Sequence, residues 1–195
     1  MTYQDVLESA RKNMAPKCRV CRECNGIVCR GEIPGVGGKG TGNAFIINYD
    51  YLSKIKINMD VIYENRGQDT SVELFGRKFA APVFAAPISG LSNNYNGYLN
   101  ERTYAEMLVP GCIDAGCAAF TGDGAADNFF LDPLKAVKAA GGIAVPTIKP
   151  WAKEDVFHKM DLAVEAGAMA IAMDIDSAGL PILAAAGKPV NAKST

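Results

Sequence analysis

The chain has 195 residues, of which 49% are hydrophobic and 21% charged, the balance of an ordinary globular domain that can bury a core. The net charge is −1 and the pI about 5.9, which argues against a nucleic-acid or anionic-lipid partner. No apolar run approaches the roughly 20 residues that span a bilayer. Residues 1–14 lack the apolar core of a signal peptide. We therefore expect a cytoplasmic protein whose six cysteines are thiols or metal ligands.

The first predicted elements are short and local. Thr2 followed by Asp5 predicts a helix cap, and apolar residues then recur at helical spacing until Pro16 ends the helix. Similar patterns predict a second helix at 44–53 and a hairpin with strands at 72–75 and 78–80.

From residue 82 onward, apolar runs alternate with helical stretches. The runs are at 83–86, 118–120, 143–148 and 168–173, and the helices at roughly 101–115, 133–140 and 154–166. An Ala-Gly pair, typical of a helix C-cap, precedes each of the last three runs. Continuous apolar strands between helices predict a parallel sheet covered on both faces. A doubly wound sheet and a β/α barrel both fit, and a full barrel needs eight units over ~250 residues.

Small or polar residues follow all four predicted strands. They are Ala86-Pro87-Ile88-Ser89-Gly90, Thr121-Gly122-Asp123-Gly124, Pro146-Thr147-Ile148-Lys149 and Asp174-Ile175-Asp176-Ser177. In parallel α/β folds the working residues lie beyond the carboxyl ends of the strands. At any one position such residues are ordinary helix caps or loop residues. Four strand ends in succession favour a site that could hydrogen-bond a planar heterocycle.

One segment of the sequence resembles a known family. Asp69-Thr70-Ser71 through Phe75-Gly76, followed by Pro82-Val83-Phe84-Ala85-Ala86-Pro87, is similar to the FMN-dependent α-hydroxy acid oxidases and dehydrogenases. The resemblance runs over residues 35–176 and covers the amino-terminal half of the family's domain. It implies a TIM (β/α)8 barrel, of which this chain supplies about the first four βα units. It also implies FMN as the cofactor and a small 2-hydroxy acid, such as lactate or glycolate, as the substrate that transfers a hydride to flavin.

The resemblance also implies roles for individual residues. FMN contacts would come from Pro87, Ile88, Ser89, Thr121 and Thr147, where Thr147 replaces the family's usual glutamine. Lys149 stands where the family has an active-site tyrosine. Asp174 matches the aspartate that orients the family's catalytic histidine, holding its tautomer and stabilising the imidazolium. Lys149 and Asp174 are therefore the candidate catalytic residues.

The sequence departs from the family in several places. The substrate-contacting tyrosine has no counterpart in residues 35–42, and no arginine follows Asp174. In the family the histidine base, the carboxylate-binding arginine, the flavin lysine and the phosphate-binding glycines come from the second half, so the 195-residue chain alone is predicted to be inactive. His158 is the only histidine. It is expected on the polar side of its helix, opposite an apolar face that comprises Val156, Phe157, Met160, Ala163 and Val164.

A cysteine cluster precedes the barrel-like region. Cys18, Cys21, Cys24 and Cys29 lie within twelve residues. Four thiolates can hold zinc or an iron–sulfur cluster, and nearby cations such as Arg19 would lower the thiol pKa values. Free cytosolic thiols on an irregular arm are the alternative. The spacing alone does not decide between a metal site and free thiols.

These patterns predict two regions. Residues 1–43 hold the first helix, the cysteine cluster and a glycine-rich loop at 31–42, while 44–195 form the first half of an FMN-binding barrel. The glycine-rich loop follows no predicted strand, so it does not fit a dinucleotide-binding fingerprint. Two alternatives remain: another FMN barrel, such as a type 2 isopentenyl diphosphate isomerase, or a non-catalytic module that uses the cysteines for metal binding or assembly. Because a half-barrel leaves strand edges unpaired, we expect a homo-oligomer.

Overall fold

The computed structural model describes residues 1–32, 41–175, 183–184, 186–188 and 190. Most of the glycine-rich loop at 31–42 and the strand-end residues 176–177 lie outside this described part. The chain divides into two compact units, Met1–Asp69 with Ser92–Tyr98, and Thr70–Leu91 with Leu99–Thr195. Within the described residues, no helix combines the length and the apolar character that crossing a membrane requires.

The first unit contains the two predicted amino-terminal helices. Helix α1 spans Tyr3–Met14 and begins with a capping box: the Thr2 hydroxyl accepts from the Asp5 amide at 3.2 Å, and the Asp5 carboxylate accepts from the Thr2 amide at 2.6 Å. The predicted cap is therefore confirmed, and it satisfies two of the helix's unpaired donors. Helix α2 spans Asn43–Lys54. The segment between the two helices has only turns and bends where it is described.

The second unit begins with the predicted hairpin. Strands β1 (Val72–Leu74) and β2 (Arg77–Phe79) pair antiparallel. The short helix α3 (Leu91–Asn94) lies mostly in the first unit. The remaining elements of the second unit, in chain order, are α4 (Glu101–Asp114), β3 (Ala119–Thr121), α5 (Asn128–Ala139), β4 (Ala144–Ile148), α6 (Lys153–Glu165) and β5 (Ala172–Met173). The predicted Ala-Gly helix ends are also confirmed. For example, Gly116 follows α4 at φ +74°, a left-handed conformation that glycine adopts without steric cost.

The parallel strands pair in the order of the sequence. Strand β3 pairs with β4, β4 pairs with β5, and Ala85 forms a parallel bridge to Ala119 on the other side of β3. A doubly wound sheet reverses this order at its switch point, whereas a barrel adds each strand beside the preceding one. The α/β class is therefore confirmed, and the pairing order is that of part of a barrel. The described strands do not close into a complete barrel.

The core lies around β4 and the helices that cover it. All five residues of β4 are buried, as expected for a parallel strand covered on both faces. Helix α5 contributes Phe130, Leu134 and Val137 to the same core. Full burial of one such side chain contributes about 1.5–3 kcal/mol. This packing holds the carboxyl ends of the strands in a defined arrangement.

Three predicted elements differ from the structure. The run at 83–86 forms only the Ala85 bridge, because Pro82 and Pro87 on either side lack the N–H that a strand ladder uses. Strand β5 is shorter than the run at 168–173. Helix α5 begins at Asn128, upstream of the predicted 133, and so brings Phe130 into the core.

The predicted apolar face of α6 is too wide. Phe157 and Val164 are exposed, at 54% and 67%, while Val156 and Ala163 are buried. The buried stripe therefore follows one line along the helix, and the residues on either side of it reach solvent. His158 is exposed on this helix, as predicted.

Candidate active site at the strand ends

A cleft of about 240 Å³ lies at the carboxyl ends of the strands. It is lined by Pro87, Ile88, Ser89, Gly122, Asp123, Thr147, Lys149 and Asp174. The structure thus brings together nearly all of the residues that the sequence singled out for cofactor binding and catalysis. Thr121 is the exception, since it is buried at the end of β3 and is not part of the lining.

A close approach of two loops forms one wall of the cleft. A Cβ on Gly122 would lie 2.6 Å from the Ile88 carbonyl oxygen and 2.8 Å from the Ser89 Cβ. Real side chains do not come this close to a backbone, so this contact requires glycine. The Ser89 hydroxyl also donates a short hydrogen bond to the Asp123 carbonyl. The loop after Ala85 and the loop after β3 are therefore held against each other.

Thr147 presents a hydroxyl without a partner. The residue is 4% exposed, and its Oγ1 is the only fully buried side-chain polar atom without a hydrogen bond among the described residues. Such a group carries a desolvation cost of about 1–3 kcal/mol. Because Thr147 lines the cleft, a bound ligand that makes a hydrogen bond there would offset this cost.

Lys149 and Asp174, the two candidate catalytic residues, form an ion pair. The Lys149 ammonium donates to an Asp174 carboxylate oxygen at 2.5 Å, with the two side chains 11% and 28% exposed. The partner of Asp174 in this pair is thus a lysine, whereas the family resemblance implies a histidine. His158 lies on the exposed side of α6 and does not line the cleft.

Asp123 is a member of the site that the sequence did not single out for a role. Its side chain is fully buried. It accepts hydrogen bonds from the Gly124 amide (2.8 Å), the Lys149 amide (3.0 Å), the Trp151 indole N–H (2.6 Å) and the Lys159 ammonium (2.6 Å). Lys159 also lies over the rings of Phe130 and Trp151. In the sequence, only the position of Asp123 after an apolar run pointed to it, because most of its partners lie far along the chain, in the segment after β4 and in α6.

The structure does not support the predicted metal site at Cys18, Cys21, Cys24 and Cys29. All four cysteines are described and carry free thiols, and no group of three or more potential ligands among the described residues could hold a metal ion. Cys21 and Cys24 are exposed on an irregular segment. The four thiols lie near enough to interact electrostatically, but no three of them are arranged to hold a metal ion.

The electrostatic expectation for these cysteines is also wrong at Cys24. Burial raises the pKa of the Cys24 thiol, and the neighbouring Cys18, Cys29 and Cys21 raise it further. Arg19 was expected to lower the thiol pKa values. Its guanidinium instead pairs with Glu32 at 2.7 Å. This pairing offsets part of the Arg19 charge, while Cys29 and Cys21 still interact with the guanidinium electrostatically.

Comparison with known proteins decides the family. The family model described as FMN-dependent dehydrogenase matches residues 36–182, most of the chain. The chain belongs to this family. The chain is also similar to the crystal structure of a mandelate oxidase with 2-hydroxy-phenylacetamide, with a TM-score of 0.57 and 19% identity. The match covers 91% of this chain and 47% of that one, so this chain spans about half the length of the oxidase. No curated protein matches the sequence.

The cleft of this chain fits part of FMN, the cofactor of its family. Thr147 offers an unpartnered buried hydroxyl, and Gly122 lets the loop at Ile88 and Ser89 pack against the loop after β3. Pro87, Ile88 and Ser89 complete one wall. The only cation in the described lining, Lys149, is paired with Asp174. These residues therefore fit the flavin ring system better than they fit a phosphate group.

Proposed function

We propose that this protein is an FMN-dependent oxidoreductase that oxidises a small 2-hydroxy acid, and that this chain supplies the part of the site that holds the flavin ring. FMN, when bound, accepts the hydride that leaves the hydroxyl-bearing carbon. The observation that carries the proposal is the unpartnered Thr147 hydroxyl in a cleft at the strand ends. A polar ring atom at that place would complete its hydrogen bonding.

Other residues of the cleft have supporting roles in this proposal. The loop from Pro87 to Ser89 packs beside the ring, and Gly122 permits the close approach of this loop. Asp174 places a carboxylate at the cleft, and Lys149 orients it through their ion pair. The negative charge would stabilise the positive charge that develops when a base removes the substrate's hydroxyl proton. Mandelate is included among the candidate substrates because the similar crystal structure is that of a mandelate oxidase.

The first test measures flavin in the purified protein at its natural full length. We expect the absorbance bands of oxidised flavin, and FMN as the molecule released on denaturation. Thr147→Val keeps the shape of the side chain and removes the hydroxyl, so it should weaken FMN binding by up to about tenfold, the value of one hydrogen bond. Protein that neither retains nor binds added FMN would contradict the proposal.

The second test identifies the substrate class. Lactate, glycolate and mandelate are added without oxygen to the FMN-loaded protein, and loss of the flavin absorbance reports hydride transfer. We expect at least one 2-hydroxy acid to bleach the flavin. Turnover of isopentenyl diphosphate, with no bleaching by any hydroxy acid, would instead identify the isomerase alternative.

A further inference from the structure

Asp123 connects three segments of the site through one buried carboxylate. Its partners are the amide of Gly124 beside it, the Lys149 amide just beyond β4, the Trp151 indole and the Lys159 ammonium from α6. A carboxylate has about four lone-pair positions, and these four donors use them. The same residue's main-chain carbonyl accepts from the Ser89 hydroxyl.

The position of these donors matters for the cleft. The amide that Asp123 holds belongs to Lys149, whose side chain pairs with Asp174 in the cleft. Thr147, with its unpartnered hydroxyl, is two residues earlier on the same chain segment. A shift of this segment would move both side chains relative to the loop at Ser89. A displacement of about 1 Å is enough to weaken a preorganised site strongly.

The buried charge of Asp123 favours one fixed position of the segments that carry its hydrogen-bond donors. The side chain is fully buried, and its cation partner Lys159 is 14% exposed. A buried carboxylate without partners is strongly disfavoured, so the segments that carry its donors are held where they can reach it. Trp151 adds a directional N–H at 2.6 Å. An ion pair alone would orient the loop less strictly than this set of donors.

We propose that Asp123 is a positioning residue for the cleft: through the Lys149 amide and the Trp151 indole, it fixes the segment after β4 that presents Thr147 and Lys149 to the flavin ring. This inference rests on the proposed function, because the ring is the ligand that the segment would meet. Asp123 need not touch FMN to have this effect.

The test compares FMN affinity among variants of the full-length protein. Asp123→Asn should weaken FMN binding about tenfold. Trp151→Phe removes a single donor and keeps a smaller aromatic ring, so it should weaken binding less and leave the protein folded. Val137→Ala is the control: Val137 is fully buried in α5 and does not line the cleft. It should lower the melting temperature and leave FMN affinity within about twofold. Affinities of the two site variants equal to the control's would overturn the proposal.

A double-variant cycle tests the route of the effect. If Asp123 acts by placing Thr147, the loss of affinity in the double variant with Thr147→Val should be smaller than the sum of the two single losses. Additive losses would show that Asp123 does not act through this segment and would overturn the proposal.

Hydrogen exchange separates this inference from the proposed function. If the wild-type protein binds no FMN, the proposed function fails, and exchange at the Lys149 amide still reports on Asp123. Faster exchange there in Asp123→Asn, without a global increase like that of Val137→Ala, would support its positioning of the segment. Unchanged exchange at Lys149 would overturn it.

Discussion

The ammonium nitrogen of Lys149 lies 2.5 Å from a carboxylate oxygen of Asp174, with side chains that are 11% and 28% exposed. Since both charges are largely removed from solvent, the loss of Lys149 removes an ionic partner of a carboxylate that solvent compensates only in part. We expect Lys149→Met to lower the free energy of unfolding by about 2 kcal/mol, as measured by urea denaturation. The variant should keep the fold, because the methionine side chain fills most of the same space.

An exposed ion pair provides the control. Arg102 and Glu106 are 63% and 51% exposed and lie one turn apart on α4. Solvent screens such a pair, so Arg102→Met should leave the urea midpoint nearly unchanged. Equal losses in the two methionine variants would be inconsistent with a partly buried pair at the cleft.

The close approach at Gly122 predicts a large effect from a single methyl group. In Gly122→Ala the new Cβ would lie 2.6 Å from the Ile88 carbonyl oxygen. The backbone must shift, at a cost of about 1–3 kcal/mol, and FMN affinity should fall at the same time. Gly111→Ala on α4 is the control, because its Cβ would meet nothing within 4 Å. Alanine should there stabilise the helix by up to about 1 kcal/mol. Similar melting temperatures for the two variants would refute the close packing at Gly122.

The stability of the protein should fall at alkaline pH in part because of Cys112. Burial raises the pKa of the Cys112 thiol, and Cys117 adds to this effect. The folded state therefore holds the thiol proton more tightly than the unfolded state. The stabilisation that comes from this difference is complete below the ordinary thiol pKa of about 8.5. It is lost as the pH rises through the raised pKa of the folded state. Urea midpoints measured from about pH 7 to 10 should fall less steeply for Cys112→Ala than for the wild type. Parallel pH profiles would contradict this.

The segment at 55–63 predicts self-association of the 195-residue chain. Apolar side chains are exposed along it: Ile55, Ile57, Met59, Val61, Ile62 and Tyr63, at 61%, 90%, 84%, 82%, 95% and 62%. Exposed apolar residues this dense are typical of interaction surfaces. Sedimentation should show dimers or larger species, and Ile57→Lys with Ile62→Lys should reduce them. Lys56→Glu, a polar change in the same segment, should have little effect. A wild-type monomer with cooperative melting would contradict the prediction.

The local elements of this protein could be predicted from sequence with good accuracy. The capping box at Thr2 and Asp5, the hairpin and the glycine helix ends depend on residues within a few positions of one another. The rule that parallel strands present their carboxyl ends at one edge also predicted where most of the cleft-lining residues would lie. By contrast, the spacing of four cysteines left a metal site and free thiols open, and the structure does not support the metal site, because sequence proximity does not set the direction of a side chain on an irregular segment.

By itself, then, the sequence determined the α/β class and most of the side chains that line the cleft, because periodicity, capping and strand-end position are short-range properties. The family followed from the resemblance of the segment from Asp69 to Pro87. Only the tertiary structure decided how those side chains pair. It joined Lys149 to Asp174 across 25 residues and gave Asp123 its donors from as far as Lys159, 36 residues away. The partners of a buried charge depend on which segments the packed core brings together, and that information is not contained in local spacing.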